Sequence, residues 1–96
     1  MIVELQVLPT PSGTPEDRHA HVEAAIAVIQ ASGLHYEVGP LGTSLEGPPD
    51  QVWDVLRRAH EATLAAGADR VISVVKLAQG SGDQGPAMDD LTRKFR

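Results

Sequence analysis

Residues 36–47 read YEVGPLGTSLEG, and they contain two short strand-like runs around a Gly-Pro-Leu-Gly turn. Glycine and proline favour a tight reversal of the chain, and both runs carry β-forming residues. The stretch therefore predicts an antiparallel hairpin, with strands at about residues 34–38 and 42–46. Its polar side chains are candidates for a small-molecule site, namely Glu37, Thr43, Ser44 and Glu46.

Two further strands are predicted near the ends of the chain. In residues 2–8, IVELQVL, apolar and polar residues alternate as in a half-buried strand. Residues 71–78, VISVVKLA, are rich in β-branched residues and also favour a strand. Both faces of this last strand are largely apolar. Either the set Val71, Ser73 and Val75 or the set Ile72, Val74 and Lys76 could face outward.

Two helices are predicted between these strands. Thr14, Pro15 and Asp17 suit the start of a helix near Pro15, and Ser32-Gly33 suits its end. A second helix follows GPPD at 47–50 and ends at Gly67. Each helix has one apolar stripe, made of Val22, Ala25, Ile26 and Ile29 in the first and of Val52, Val55, Leu56, Ala59 and Thr63 in the second.

The order of these elements predicts an α+β fold. Strand, helix, strand, strand, helix, strand is the order of a ferredoxin-like βαββαβ domain, with a four-stranded antiparallel sheet and both helices on one face. Right-handed crossovers lead us to expect the first and last strands side by side in the middle of the sheet. Residues 1–96 form a single domain in this interpretation, because a second core would have too little apolar material.

The end of the chain adds two smaller elements. Residues 79–86, QGSGDQGP, have the composition of a flexible loop. Beyond them, Met88, Leu91 and Phe95 follow one another at helical spacing, which predicts a short C-terminal helix. Its apolar stripe needs a surface to pack against.

One face of such a sheet is left uncovered by the two helices, and we call it the open face. Alternation predicts that it carries polar side chains from three strands, namely Glu4, Gln6, Glu37, Ser44 and Glu46. The last strand would add apolar side chains to it. Because exposed apolar patches and unpaired strand edges favour association, we expect a homo-oligomer, a dimer or a tetramer, that covers the open face.

Composition excludes several classes of function. The net charge of −5 disfavours a broad surface for nucleic acid or anionic membrane. With one Trp, one Tyr and one Phe, the sheet lacks the aromatic residues on which RNA-binding modules stack bases. The chain has no cysteine, and therefore no disulfide or thiolate metal site. No apolar run could cross a bilayer, and MIVELQVLP is not a secretory signal, so we expect a cytoplasmic protein.

Few residues indicate catalysis or metal binding. His19 and His21 are two positions apart, which on a helix separates their rings by about 200°, so we expect two exposed histidines and no metal site. Glu37 and Glu46 could face each other and act as an acid–base pair, but no nucleophile accompanies them. Hydrolysis by this pair is a minor alternative. Residues 80–86, GSGDQGP, lack the Lys-Ser/Thr ending of a phosphate-binding loop.

Two stretches carry a resemblance to a known family. ASGLHYEVGPLGTSLEG at 31–47 and AHEATLAAGADRVISVVKL at 59–77 resemble the small thiamine-binding proteins of the DUF77 or YkoF-related family. That family has a hairpin of the form Y-E…P-x-G-T-x-x-E-G followed by A-H-E…G-x-x-R-V. Leu41 stands where a methionine is common, and Leu45 where an isoleucine is common. Neither departure removes a polar group, and the resemblance covers nearly the whole chain.

The resemblance implies a ferredoxin-like subunit of a dimer or tetramer that binds thiamine or its hydroxymethylpyrimidine moiety without transforming it. It implies no catalytic residue, metal or cofactor. The carboxylates and hydroxyls of Glu37, Thr43, Ser44 and Glu46 are suitable in type for an aminopyrimidine and a cationic thiazolium. The alternative is a structural or regulatory oligomerisation module, in which the same side chains make only hairpin or subunit contacts.

Overall fold

The computed structural model describes residues 1–82, 85 and 87–96. Asp83, Gln84 and Pro86 of the predicted loop lie outside the described residues. The elements, in chain order, are β1 (Ile2–Thr10), α1 (Ala20–Ala31), β2 (His35–Val38), β3 (Thr43–Glu46), α2 (Pro49–Ala65), β4 (Arg70–Ala78) and α3 (Met88–Thr92), followed by one 3-10 turn at Arg93–Phe95.

The four strands form one antiparallel sheet in the order β2-β3-β1-β4, which confirms the ferredoxin-like α+β fold. β1 and β4 are neighbours, as predicted. The expectation that both lie in the middle is wrong, because β1 and β3 are the central strands and β4 is at an edge. Each helical crossover passes over one strand of the other βαβ unit, which interleaves the two units and places β4 outside β1.

The core lies between the helices and one face of the sheet. Alternate residues of β1 point into it, and their partners on β3 and α2 are equally buried. The predicted stripe of α2 is confirmed, since all five of its residues are buried. The fully buried side chains with the largest volume are Ile29, Leu45, Val3, Val52 and Thr63.

The pairing of β1 with β4 shows which side chains of β4 lie on the open face. Val3, Leu5 and Val7 of the core face lie opposite Leu77, Val75 and Ser73. Because side chains alternate along a strand, the remaining set, Ile72, Val74 and Lys76, lies on the open face.

Helix α1 begins at Ala20, five residues after the predicted start at Pro15. The Thr14 hydroxyl accepts a hydrogen bond from the Asp17 amide at 3.1 Å, as the predicted cap would. Residues 12–19 nevertheless form turns, because the Ser12 hydroxyl donates to the Arg18 carbonyl and the His21 amide donates to the Ser12 carbonyl. These contacts compete with the helical hydrogen bonds that a start at Pro15 would need.

His21 is buried, whereas the sequence predicted two exposed histidines. Its Nδ1 lies 2.7 Å from the Pro11 carbonyl oxygen, and only 3% of the residue is exposed. The other side of the ring packs against Gly67, where an added Cβ would lie 3.2 Å from Nε2. Gly67 also has a φ of +126°, so its backbone and its neighbour both favour glycine. His19 is exposed, as expected.

Candidate functional site

Three of the four predicted site residues lie together on the open face. Glu37 on β2 is directly opposite Ser44 on β3, and Glu46 is opposite His35. Glu37 and Glu46 are therefore diagonal neighbours rather than a directly paired set. On its other side Ser44 faces Glu4 of β1, which adds a third carboxylate to the cluster.

Thr43 lies on the opposite face of the sheet. It precedes Ser44 by one residue, and successive side chains of a strand point in opposite directions. Its partner on β1 is the core residue Leu5, and Thr43 itself is only 4% exposed. The structure thus separates this hydroxyl from the carboxylates with which the sequence grouped it.

The C-terminal segment, residues 88–96, lies over the β2–β3 half of the open face. The Met88 amide donates to Glu46 Oε2 at 2.9 Å, and the Met88 side chain is buried. The Arg96 guanidinium donates to Glu37 Oε2. The sheet is thus the partner surface that the predicted stripe needs, although Leu91 and Phe95 of that stripe remain exposed.

A second pair joins the same segment to β2, where His35 Nε2 lies 3.3 Å from Asp89 Oδ1. Sequence reasoning missed Asp89 and Arg96 as neighbours of the site. No local pattern identifies them, because more than fifty residues separate each from its partner.

An open-face cavity of about 320 Å³ lies between the sheet and the C-terminal segment. Its lining combines apolar and polar side chains. The apolar ones include Ile2, Met88 and Leu91, and the polar ones are Glu4, Glu37, Ser44, Thr92 and Arg96. A pocket with apolar walls and a few convergent polar groups is typical of small-molecule binding.

The charges around this cavity are partly balanced. Lys76 Nζ lies 3.8 Å from Glu4 Oε1, and Arg96 pairs with Glu37. Both pairs are about half exposed or more, so solvent screens them and each contributes little to stability. A cationic ligand could therefore compete with these two side chains for the carboxylates at low cost.

A helix-side cavity of about 380 Å³ lies on the other side of the hairpin. Thr43 lines it together with aliphatic side chains of β1 and α1, and Gln6, His19 and Glu23 add polar atoms. Gly39 and Gly42 of the turn contribute to both cavities. The hairpin thus borders a cavity on each of its faces, and Glu46 and Gly47 line a further cavity of about 540 Å³.

Glu23, beside the helix-side cavity, is the one cavity carboxyl with a clear change in acidity among the described residues. The Asp17 carboxyl raises the pKa of Glu23, first by hydrogen bonding to it and second by its negative charge. A raised pKa means that the folded protein holds this proton more tightly than the unfolded chain does. The contribution of Glu23 to stability is therefore fully present below its pKa in the unfolded chain, and it falls as the pH rises through its pKa in the folded protein.

We expect Glu23→Gln to remove this fall in stability. Glutamine keeps the shape and can hydrogen-bond to Asp17, but it cannot add a second negative charge. In thermal unfolding between about pH 3 and 7, the variant should match the wild type at the acidic end and exceed it slightly at neutral pH. Glu16→Gln is the control. Curves that stay parallel at every pH would contradict the prediction.

The remaining motif residue of note is His60, whose Nδ1 lies 2.5 Å from Ser73 Oγ. Both residues are partly buried between α2 and β4, and neither lines the open-face or helix-side cavity.

Within the described part of the chain, no three His, Asp or Glu residues are grouped so that they could hold a metal ion. Over the same residues, no helix has both the length and the apolar character needed to cross a membrane.

Comparison with known proteins identifies the family of this chain. The family model described as thiamine-binding protein matches residues 3–96. A UPF0045 protein of Clostridium perfringens is 35% identical over 96 residues, which is 98% of this chain and 95% of the relative. A solved structure of a DUF77 domain from Bacillus cereus is 35% identical, with a TM-score of 0.80 over 100% of this chain and 91% of that one.

A third similarity concerns the fold alone. A Thermotoga maritima protein proposed to act in thiamine biosynthesis or salvage is 24% identical and superimposes with a TM-score of 0.82. The alignment covers 99% of this chain and 97% of that one.

The family model spans nearly every residue, and two relatives are more than 30% identical to this chain over almost its whole length. The chain therefore belongs to the thiamine-binding protein family.

Proposed function

We propose that this protein binds thiamine, or its hydroxymethylpyrimidine moiety, and does not transform it. The observation that carries the proposal is the cluster of Glu37, Ser44 and Glu46, of which Glu37 and Ser44 line the open-face cavity, in a chain of the thiamine-binding family. The family is named for binding, and the hairpin pattern that this chain resembles contains Glu37 and Glu46.

The chemistry of the cluster suits the ligand. An aminopyrimidine carries an exocyclic amine that can donate to a carboxylate and ring nitrogens that can accept from the Ser44 hydroxyl. The thiazolium ring of thiamine is a cation, and Glu4, Glu37 and Glu46 lie on one face to attract it. Apolar contact with Met88 and Leu91 would cover the flat faces of the rings. No step of this binding requires a nucleophile or a metal.

The proposal includes assembly into a homo-dimer or homo-tetramer. The β1–β4 half of the open face carries Leu8, Ile72 and Val74, which are 46%, 64% and 46% exposed. The C-terminal segment contacts the other half of the face. Together with the edge strand β4, these side chains form an apolar surface that a second copy of the chain would cover. Cytoplasmic location stays a prediction.

Calorimetric titration of the full chain with thiamine and with hydroxymethylpyrimidine tests the binding proposal. We expect saturable heat with at least one of the two compounds, and recovery of the ligand unchanged by chromatography after long incubation. Absence of heat and of any thermal shift at millimolar ligand would refute binding. Conversion of the ligand into a product would refute the statement that it is not transformed.

A second candidate, the oligomerisation module without ligand, is favoured by one observation. The C-terminal segment already pairs with Glu37 and Glu46, as it would if these side chains served only protein contacts. The 320 Å³ cavity lined by Glu37 and Ser44 favours the binding proposal instead. Oligomer formation combined with a silent titration would support the module.

We expect Ile72→Glu to dissociate the oligomer. The substitution places a charge at the most exposed apolar position of the open face, where burial against a second copy would leave it without a partner. Sedimentation velocity should show the wild type as a dimer or tetramer and the variant as a monomer. Leu64→Glu, on the helical side, is the control and should keep the wild-type state. A variant that sediments like the wild type would contradict the assignment of this surface.

A further inference from the structure

The two ends of the C-terminal segment are attached to the sheet in different ways. At the first end, the Met88 side chain is buried and the Met88 amide donates to Glu46 Oε2 at 2.9 Å. At the other end, residues 93–96 form a turn. Among the hydrogen bonds and ion pairs of the described residues, this turn has one attachment to the sheet, the Arg96 guanidinium that donates to Glu37 Oε2. Both side chains of this pair are about half exposed.

The other side chains of the 93–96 turn do not hold it to the sheet. Arg93 pairs with Asp90 at 2.8 Å, and Lys94 Nζ lies 5.3 Å from the centre of the Phe95 ring, so both contacts are made within the C-terminal segment. Phe95 is 76% exposed. Parts of a protein with few buried apolar contacts open locally at a low cost in free energy. The turn can therefore leave the sheet while Met88 keeps α3 in place.

The contact with Arg96 occupies a carboxylate that the proposed ligand also needs. A guanidinium is planar and presents several N–H donors in that plane. The exocyclic amine of an aminopyrimidine likewise offers N–H donors in the plane of its ring. The two groups compete for Glu37, because both donate to its carboxylate. Arg96 also lines the open-face cavity, so its departure frees the carboxylate and enlarges the space beside it.

We propose that Arg96 is an autoinhibitory latch, which holds the 93–96 turn against Glu37 and must leave before a ligand bonds to this carboxylate. The inference rests on the proposed function for the competing ligand, whereas the order of the turn is a property of the free protein. Helix α3 stays anchored at Met88 and remains a wall of the cavity. The measured affinity is then lowered by the fraction of molecules in which the latch is open.

Backbone amide relaxation, measured by NMR on the ligand-free full chain, tests the latch. In the wild type, the amides of Lys94 and Phe95 should be as ordered as those of α3. In Arg96→Gln they should become mobile on the picosecond to nanosecond timescale, while α3 keeps its order. Arg93→Gln is the matched control, because it removes the same charge but breaks only a pair within the segment. A 93–96 turn that is already mobile in the wild type would overturn the inference.

Calorimetric titration with hydroxymethylpyrimidine, at a pH where the ring is uncharged, tests the competition. Arg96→Gln should bind it about two- to fivefold more tightly than the wild type, which is the factor that one exposed ion pair contributes to an equilibrium. Arg93→Gln should keep the wild-type affinity. The uncharged ligand separates competition from simple attraction, because removal of a positive charge by itself would favour only the thiamine cation. A gain in affinity for thiamine without a gain for hydroxymethylpyrimidine would contradict the latch.

Failure of the latch and failure of the proposed function give different results. Saturable binding with the same affinity in Arg96→Gln and in the wild type would refute the latch and leave the proposed function in place. Silent titrations of both proteins would refute the proposed function and, with it, the competition at Glu37, even if the 93–96 turn is ordered. Tighter binding together with a mobile turn in Arg96→Gln, and neither change in Arg93→Gln, is the result that we expect.

Discussion

Glu37→Gln is expected to weaken thiamine binding about tenfold to a hundredfold, which is the loss of one hydrogen bond to a charged group. The amide keeps the shape of the carboxylate but loses its negative charge, so it attracts neither the thiazolium cation nor the exocyclic amine as strongly. The side chain of Glu37 is 46% exposed, which favours the lower end of this range because water screens the charge. Calorimetric titration of both proteins measures the difference.

Glu61→Gln is the matched control for this experiment. Glu61 is also a surface glutamate paired with an arginine, Arg57, at 2.9 Å, but it lies on α2 and lines neither cavity. Both variants change the net charge equally. Equal losses of affinity would mean that overall charge, rather than the open-face cluster, determines binding. Unchanged affinity in Glu37→Gln would remove this residue from the proposed site.

Leu45→Ala is expected to lower the free energy of unfolding by about 2–5 kcal/mol, as for other large-to-small changes in a packed core. Leu45 is 0% exposed and lies between Val3 of β1 and Tyr36 of β2 in the centre of the sheet. Alanine would leave a void against the helices. For a small domain this loss is a large part of the total stability.

Urea denaturation followed by circular dichroism measures that loss. Leu41→Ala, in the turn of the same hairpin, is the control, because its side chain is 79% exposed and should change stability by less than about 0.5 kcal/mol. A loss below about 1 kcal/mol in Leu45→Ala would contradict the assignment of this residue to the tightly packed centre.

Much of the fold was predictable because local patterns agree with one another. Alternation in β1, the glycines of the hairpin turn and the stripe of α2 each favour the element that forms. The start of α1 was not predictable in this way. Thr14 and Asp17 make the capping contact that the pattern indicates, but hydrogen bonds across residues 12–21 hold the chain in turns. The burial of His21 depends on the same contacts and on Gly67, far away in sequence.

The candidate site was predictable in composition but not in arrangement. Successive side chains of a strand point to opposite faces of the sheet, and this alternation along β3 was sufficient to place Thr43 on one face and Ser44 and Glu46 on the other. The pairing of Glu37 with Arg96 and of Glu46 with the Met88 amide joins positions more than forty residues apart. Such contacts follow from tertiary packing, which no short window of sequence contains.

Because the two faces of the β2–β3 hairpin border different cavities, a substitution on one face changes the side chains of one cavity only. A substitution at position 44 or 46 alters the open face, and one at position 43 alters the helix-side cavity, while the backbone between them stays the same. Selection could therefore tune one cavity with little effect on the other. Family members with the same fold could diverge in the molecules they recognise by exchanging single side chains along one four-residue strand.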